Sequence, residues 1–545
     1  MTTPTASAPH HVDVVIYGAS LAGIMAAVRL SRRGHTVCVL EPTGHVGGVI
    51  AAGLVKTDIP NIISALGGLT LTEYFQGIGR AYGKDQAQYR FEPKVAERVS
   101  RRLLDDAGAT VHLNSRIEGP RDVHVRGGRI RGVRLRDGRE HWVAGDFFID
   151  ASYEGDLLAA AGVSYRTGRE GRDEYGESHA GYLPERAHRV DGFTSTQVYP
   201  VRPTPALPSG SADEAVQAYN FRGVLTTAAD RIPFTRPDGY DPADYRLFAD
   251  LVRLRGMGGL DAVVTDTALL PQEKYQTNQG PIVGFDLPGV NWDYPDGSWQ
   301  RRDEIIAEHA RWHQGLLHWM TNDSSLPATF RERSARFGYP PDEFVDSPYG
   351  QGFPHALYVR EARRMVGTYV LTEHDLLAPG NEKATAVCCW KYGMDCHLTQ
   401  YNGDGAHRLV GEGTLTGSTL NAAVDLYQLP AESLIPRRGD AENLAVAVCF
   451  SASHIGYLSA RMEPNFGMLG EACGELAAQS LRTGRPVQDY DYPDLAAALR
   501  EHGSVLQLSA DDLHSAIDYP DTLYVGDPTG AHAGTAEGTD RQSKE

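Results

Sequence analysis

Apolar side chains run almost unbroken through residues 12–17 (VDVVIY), the pattern of a strand covered on both faces. A glycine turn follows. An alanine-rich stretch over 21–33 reads as a helix, and 36–40 (TVCVL) returns to strand character. Together these predict a βαβ unit of ordinary length. Pro93 at a first helical position and Gly108 as a stop predict a helix over 93–107. Alternation at 109–114 and turn signals at Gly127-Gly128 and Asp137-Gly138 predict a β-meander, and FFID at 147–150 reads as a buried parallel strand.

From about 165 to 440 the periodicity is irregular, and aromatics, prolines and glycines become frequent. A buried-strand run returns at 444–449 (LAVAVC), and 464–482 reads as a small-residue helix whose Gly467, Gly470 and Gly474 permit close approach. Pro464 suits its first turn. This order predicts an α/β, Rossmann-type nucleotide-binding domain interrupted by an inserted α+β substrate domain. The expected division is a disordered leader at 1–10, the first part of the binding domain at 11–164, the insert at 165–440, the second part at 441–485, a C-terminal extension at 486–525 and a disordered tail at 526–545.

The 545 residues carry a net charge of −18, which argues against nucleic acid as a partner. No apolar run approaches the roughly 18 to 20 residues that span a bilayer, and the start MTTPTASAPHH lacks a basic and an apolar region. The expectation is a cytoplasmic protein with no membrane partner. Six cysteines, at 38, 388, 389, 396, 449 and 473, suggest reduced thiols. Cys388, Cys389, Cys396 and His397 lack paired C-x-x-C spacing, and Glu308, His309 and His313 lack the His-Glu-x-x-His order, so no metal is expected. GEGTLTG at 411–417 resembles a phosphate loop in glycine count alone.

The turn after the first strand is Gly18-Ala19-Ser20-Leu21-Ala22-Gly23. In a dinucleotide fingerprint the three glycines make the tight turn, admit the pyrophosphate and pack helix on strand. Here Gly18 and Gly23 fill the first and third places, and Ser20, small and able to donate, fills the second. The pyrophosphate would lie at the helix start near Leu21. Glu41 ends the second strand, where an acid accepts from ribose hydroxyls. That spacing suits FAD or NAD. EPTGHVGG then places Gly47 and Gly48 where a loop can fold over a long, extended cofactor, which favours FAD. No second dinucleotide turn for NAD(P)H is present.

The stretches VVIYGASLAGIMAA, EPTGHVGG, RFEPKVAE, FFIDASYEGDLLAAAGVSYRTGREGRDEYGE, DEFVDSPYG, LYVREARRMVG and SASHIGYLSARMEPNFGMLGEACGELAA follow one another in order over most of 12–500. They resemble the large bacterial family of FAD-dependent oxidoreductases, some of whose members are described as xanthan-lyase-like. The resemblance implies a glutathione-reductase-type FAD fold with FAD as cofactor. It implies cofactor contacts at Gly18, Ala19, Ser20, Leu21, Ala22, Gly23, Glu41, Pro42, His45, Gly47, Gly48, Ile117, Ala151, Ser152, Arg461 and Met462. Two segments depart from the family: WKYGMDCHLTQY carries Cys396 within an Asp-Ser-His-like pattern, and NQGPIVGFDLPG carries Gln279.

In the resembled fold the helix after SASHIGYLSARMEP points its N-terminus at the flavin pyrimidine, so His454 and Arg461 are expected at the ring, with His454 as base. Asp395 and His397, two apart, would share a strand face and form the next candidate pair. Arg360, Arg363 and Arg364 sit in a charge run that reads as a solvated helix face beside Glu361. The expected function is oxidation of a small organic substrate by hydride transfer to flavin N5, with oxygen or another acceptor reoxidising the flavin. A monooxygenase, a non-redox isomerase or cyclase, and a non-catalytic FAD scaffold are the alternatives. The Gly-x-Trp-x-Trp-x-Ile-Pro stretch of flavin halogenases is absent. Oligomeric state is left open.

Overall fold

The unbroken apolar run becomes β1 (His10–Tyr17), in which Val14, Val15, Ile16 and Tyr17 are wholly buried. The computed structural model describes residues 10–508 except 137–139, 195, 197, 263, 272, 279–283, 378–381, 404–406 and 416–422. β1 lies within a seven-stranded sheet with β2 (Val37–Leu40), β3 (Thr110–His112), β4 (Val123–Arg126), β5 (Arg129–Arg136) and β6 (Glu140–Asp150), in the order β3-β2-β1-β6-β5-β4. The seventh strand, Leu444–Val446, pairs parallel with β6. β1 pairs parallel with β2 and β6, whereas β4 and β5 add an antiparallel hairpin.

One boundary needs correction: His10 belongs to β1 rather than to the stretch before it, and residues 1–9 lie outside the described residues. FFID is the buried parallel strand the apolar run predicted: it forms the end of the 11-residue β6 and pairs parallel with β1 and with Leu444–Val446. The first half of β6 pairs antiparallel with β5 and its end, from Phe148, pairs parallel with Leu444–Val446. The Gly127-Gly128 turn joins β4 to β5, both glycines at positive φ. The Asp137-Gly138 turn, Gln279, the end of GEGTLTG and the tail at 526–545 lie outside the described residues.

After the turn comes α1 (Leu21–Arg32), which packs along the helix Glu463–Thr483. Small residues set the separation: a Cβ on Gly470 would overlap the Ala22 carbonyl, and one on Gly474 would lie 3.1 Å from the Ala26 oxygen. Arg29, wholly buried between these helices, pairs with Glu475 and reaches the Ala498 carbonyl on the helix Tyr492–Arg500. That last helix falls in the stretch 486–525 and closes the outer side of the pair.

A second hydrophobic core surrounds the helix Trp299–Asn322, with Trp312 and Trp319 against Tyr245 and Phe248. His309 and His313 are core residues of this helix, each bonding through Nδ1 to the carbonyl four residues back. Burial lowers them to about 3 and about 4. Among the described residues Glu92, Asp342 and Glu343 gather closely enough to share a cation. The Lys274 ammonium occupies that position, 2.6 to 2.8 Å from all three. The six cysteines are buried and free, and no helix among the described residues is long and apolar enough to cross a membrane.

The α1 contact is testable. Gly470→Ala forces a methyl group into a backbone oxygen and should cost about 1–3 kcal/mol or more, read as a lower melting temperature. Gly439→Ala, with nothing within 4 Å, should stay within about 0.5 kcal/mol.

Candidate functional site

Where β1 ends, Gly18 adopts φ +101, and a side chain there would lie 2.6 Å from the Ala151 carbonyl oxygen. Ser20 caps α1, donating to Ala151 O at 2.6 Å and accepting from Gly23 N at 3.4 Å. The first N–H groups of α1, at Leu21 and Ala22, have no carbonyl one turn back. Glu41, buried, accepts from Ala19 N at 2.7 Å and from Thr43 N and Oγ1 at 2.8 and 2.7 Å. Burial raises this carboxyl, and the three donors oppose that. Gly47, at φ +103, donates to Ala19 O at 2.8 Å, so the following loop is pinned onto the turn.

A cavity of about 440 Å³ opens over these groups, lined by Gly18, Ser20, Glu41, Pro42, His45, Gly48, Ala151 and Ser152 of the predicted set. His45 stacks on His355 with centroids 3.8 Å apart and bonds Glu97 at 3.1 Å, which raises it. Ala19, Leu21, Ala22, Gly23 and Gly47 stand behind the wall as framework. Ile117 does not line the cavity; its N–H donates to the Tyr17 hydroxyl and its carbonyl accepts from the Trp299 indole, a lining residue. Met462 is the residue before the helix Glu463–Thr483. The opposite wall, including Tyr153, Tyr294, Asp346 and Tyr349, was missed as individual residues. Tyr153 donates to Glu463 at 2.8 Å, and burial raises that carboxyl to about 8.

Val49 at the cavity wall packs with Leu54 and Tyr358, and beyond the Tyr358 ring lies a buried polar cluster. Asp286 is its centre. It accepts from His397 Nδ1 at 2.5 Å, Arg360 at 3.0 Å and Asn220 at 2.8 Å. Asp395 lies 3.7 Å from His397 Nε2 and pairs with Arg461 at 2.7 Å. Residues 391–399 form no strand, so a shared strand face does not unite Asp395 with His397; Arg461 holds one and Asp286 the other. Asp286 carried no separate signal in the sequence: it stood inside NQGPIVGFDLPG without a marked role.

The arginine run is corrected except for the expected pairing with Glu361, which Arg364 makes. Residues 359–363 are not helical, and Arg360, Arg363 and Arg364 are all buried. Arg360 pairs with Asp286, Arg363 with Asp156 and Asp296, and Arg364 with Glu170 and Glu361. Carboxylates distant in sequence replace the solvent expected around this run. Apolar LYV before it and MV after it were the available hint that it runs inside.

His454 opens the short helix His454–Ala460. Its N–H donates to Glu170 at 2.8 Å, its Nδ1 meets Glu361 at 2.9 Å, and its Nε2 lies 3.8 Å from Cys396 Sγ. Burial would lower this imidazole, but the Glu361 charge and bond raise it to about 10. His397 goes the other way: burial and Arg360 lower it, outweighing Asp286 and Asp395. At neutral pH His454 is an imidazolium bound to Glu361. His397 is shifted toward its neutral form, with Nδ1 bonded to Asp286 at 2.5 Å and Nε2 3.7 Å from Asp395.

Residues 13–499 match the FAD dependent oxidoreductase family. No curated protein matches the chain. Among solved structures it is similar to OxyS anhydrotetracycline hydroxylase from Streptomyces rimosus, at 16% identity over 33% of this chain and 42% of that one, with a TM-score of 0.23. It is also similar to Thermovibrio ammonificans THI4, at 19% identity over 29% of this chain and 66% of that one, with a TM-score of 0.22. L-proline dehydrogenase from P. horikoshii aligns at 14% identity over 30% of this chain and 59% of that one, with a TM-score of 0.24. The chain thus spans less than two thirds of each of these proteins. The family match extends from β1 into the helix Tyr492–Arg500, so the chain belongs to the FAD dependent oxidoreductase family, and FAD is its cofactor.

Proposed function

We propose that the protein oxidises a small organic substrate by hydride transfer to the flavin, with His397 as the base, on a glutathione-reductase-type plan in which 165–440 is an insert within the binding domain. The pairing of Leu444–Val446 with β6 supports that plan, because the chain returns to its first sheet after the intervening segment.

The cavity residues fit FAD. Gly18 and Gly48 line the cavity with bare backbone, each packed too closely against Ala151 or Tyr153 to carry a side chain, and the start of α1 offers N–H groups to a pyrophosphate. Gly18, Ser20, Ala151 and Ser152 would hold the pyrophosphate side, Glu41 and Pro42 the ribose side, and Gly48 with His45 the loop over it. Arg461 and Met462 would stand toward the ring end. When bound, FAD supplies a two-electron acceptor whose N5 takes hydride from a C–H bond.

The chain's own part is proton handling. His397 Nε2 takes the proton from a substrate O–H or N–H, and the carbon that loses hydride becomes a carbonyl or imine carbon. Asp286 fixes the tautomer by accepting from Nδ1 and stabilises the imidazolium that forms. Arg360 and Asn220 keep Asp286 ionised and oriented. Asp395 stands on the Nε2 side, held by Arg461. The observation that carries this reading is a buried histidine whose Nδ1 bonds Asp286 at 2.5 Å while its Nε2, 3.7 Å from Asp395, makes no hydrogen bond among the described residues. His454, already protonated and bound to Glu361, serves as a positioning residue.

Gly18→Val should abolish FAD loading, because a β-branched side chain has neither the φ nor the room; flavin absorbance per protein reads this. Ser20→Gly should keep the cofactor, costing about a few tenths of a kcal/mol as a cap and about 1 kcal/mol for the lost bond to Ala151 O, read as a lower melting temperature. On a substrate that bleaches the flavin anaerobically, His397→Asn should slow bleaching by ~10²- to 10⁴-fold with FAD retained. The wild-type reduction rate should be level at neutral and higher pH and fall below pH 6.5, since the base must be unprotonated and His397 lies below that value. A limb near pH 10 would hand the role to His454.

A further inference from the structure

Arg222 is buried at 5% exposure, yet its Nε and Nη1 have no hydrogen-bond partner. Its neighbours are matched. Across the Tyr358 ring, Arg360 bonds Asp286 and the Ala218 carbonyl, and Arg461 is paired with Asp395. The two guanidinium carbons of Arg222 and Arg360 lie 5.0 and 4.9 Å from the Tyr358 ring centroid. A guanidinium remains charged; Asp286 and Asp395 offset that of Arg222 only at a distance, and buried donors left without a bonded acceptor are costly. Its position is nonetheless fixed. Gly53 packs against the Arg222 backbone where no side chain fits, and Gly223 is tied to Thr277 through N–H···Oγ1 at 2.8 Å. A buried guanidinium with two unbonded donors on a fixed backbone, sharing Asp286 as a charged neighbour with His397, is a candidate anion site.

We infer that Arg222 binds the carboxylate of an organic-acid substrate, holding it in the cluster that contains His397. The charge decides for a carboxylate over a phosphate group. Arg360 and Arg461 each bond an aspartate, Asp58 adds a third carboxylate in the field of Arg461, and Arg222 alone bonds none among the described residues, so the cluster offers one free guanidinium fork and no surplus positive charge for a dianion. A phosphate dianion would bring surplus negative charge beside Asp286 and Asp395. The planar fork of a guanidinium also fits a carboxylate with two parallel bonds. Tyr358 links the site to the cofactor cavity, because its ring packs against Val49 on the cavity wall. This inference rests on the proposed oxidation for the identity of the bound molecule as substrate.

The test uses the FAD-loaded protein and follows the flavin visible band while acetate, pyruvate, benzoate, benzamide or inorganic phosphate is added. At least one carboxylate should perturb the band saturably, whereas benzamide and phosphate should not. Arg222→Met should keep FAD, melt no lower than wild type, and weaken the carboxylate by about 10- to 100-fold. Arg222→Lys, which keeps the charge and loses the fork, should fall between them. The melting temperature separates a binding arginine from a structural one, because removing an unpaired buried charge does not weaken the fold. The inference is overturned if no carboxylate perturbs the wild type, if benzamide or phosphate does so equally, or if both variants bind the carboxylate as wild type does. Loss of FAD from Arg222→Lys would overturn it too, by assigning the arginine to the cofactor. Binding is read without turnover, so a failed titration leaves the role of His397 standing, and a mistaken base leaves the titration unchanged.

Discussion

Four chain segments meet at residues 18–20, and the rest of the binding domain depends on that backbone junction. Gly18 lies against Ala151 at the end of β6 without room for a side chain. Ser20 donates to the same Ala151 carbonyl, Ala19 N donates to Glu41 at the end of β2, and Ala19 O accepts from Gly47. A single turn thereby fixes β6, β2, the glycine loop and the start of α1 relative to one another. The N-terminus of α1 can face a pyrophosphate only because these contacts hold it still. Glu41 is the costly member, a buried carboxylate that three donors keep satisfied.

The second region is organised by buried charge rather than by sheet pairing. Asp286 and Arg360 are 74 residues apart, and Arg364 and Glu170 are 194 apart. Such pairs contribute little net stability against apolar replacements, but losing one partner leaves an uncompensated charge in the interior. They therefore act as registration devices. Each arginine of the run 360–364 reaches a different element: Arg360 the loop at Asp286, Arg363 the segment at Asp156, Arg364 the segment at Glu170. The chain between the two halves of the sheet is stitched to the cofactor side by these ties.

What could be read from the sequence was what is local. The strand, turn and helix over 10–32, the helix from Pro93 and the small-residue helix near Pro464 declare themselves through period, caps and glycine spacing. Eight of the expected cofactor residues line the cavity because that cradle is built from one contiguous unit and its immediate partners. The far wall at Asp346 to Tyr349 and the Asp286 centre come from distant loops with no periodicity to betray them. The arginine run misled for the same reason. A charge run signals solvent when only neighbours are considered, and all its counter-ions but Glu361 lay far along the chain. Asp395 and His397 were rightly suspected of meeting, but through long-range partners rather than a strand face.

His454 and His397 show how one residue type takes two charge states within a single network. Both are buried and both contact a carboxylate. Glu361 serves His454 together with Arg364, and its field wins over burial. Beside His397, Asp286 is already matched by Arg360, so the positive charge of Arg360 and burial prevail over its attraction. Gln217 couples the two: its Nε2 donates to Glu361 at 2.9 Å, and its Oε1 accepts from the His397 backbone N–H at 3.4 Å. The amide has one orientation that serves both, so the position of the neutral histidine is tied to the ion pair of the charged one. Environment, not sequence neighbourhood, therefore separates the two imidazoles, and the same arginines that fix the fold in this region also push His397 away from its charged form.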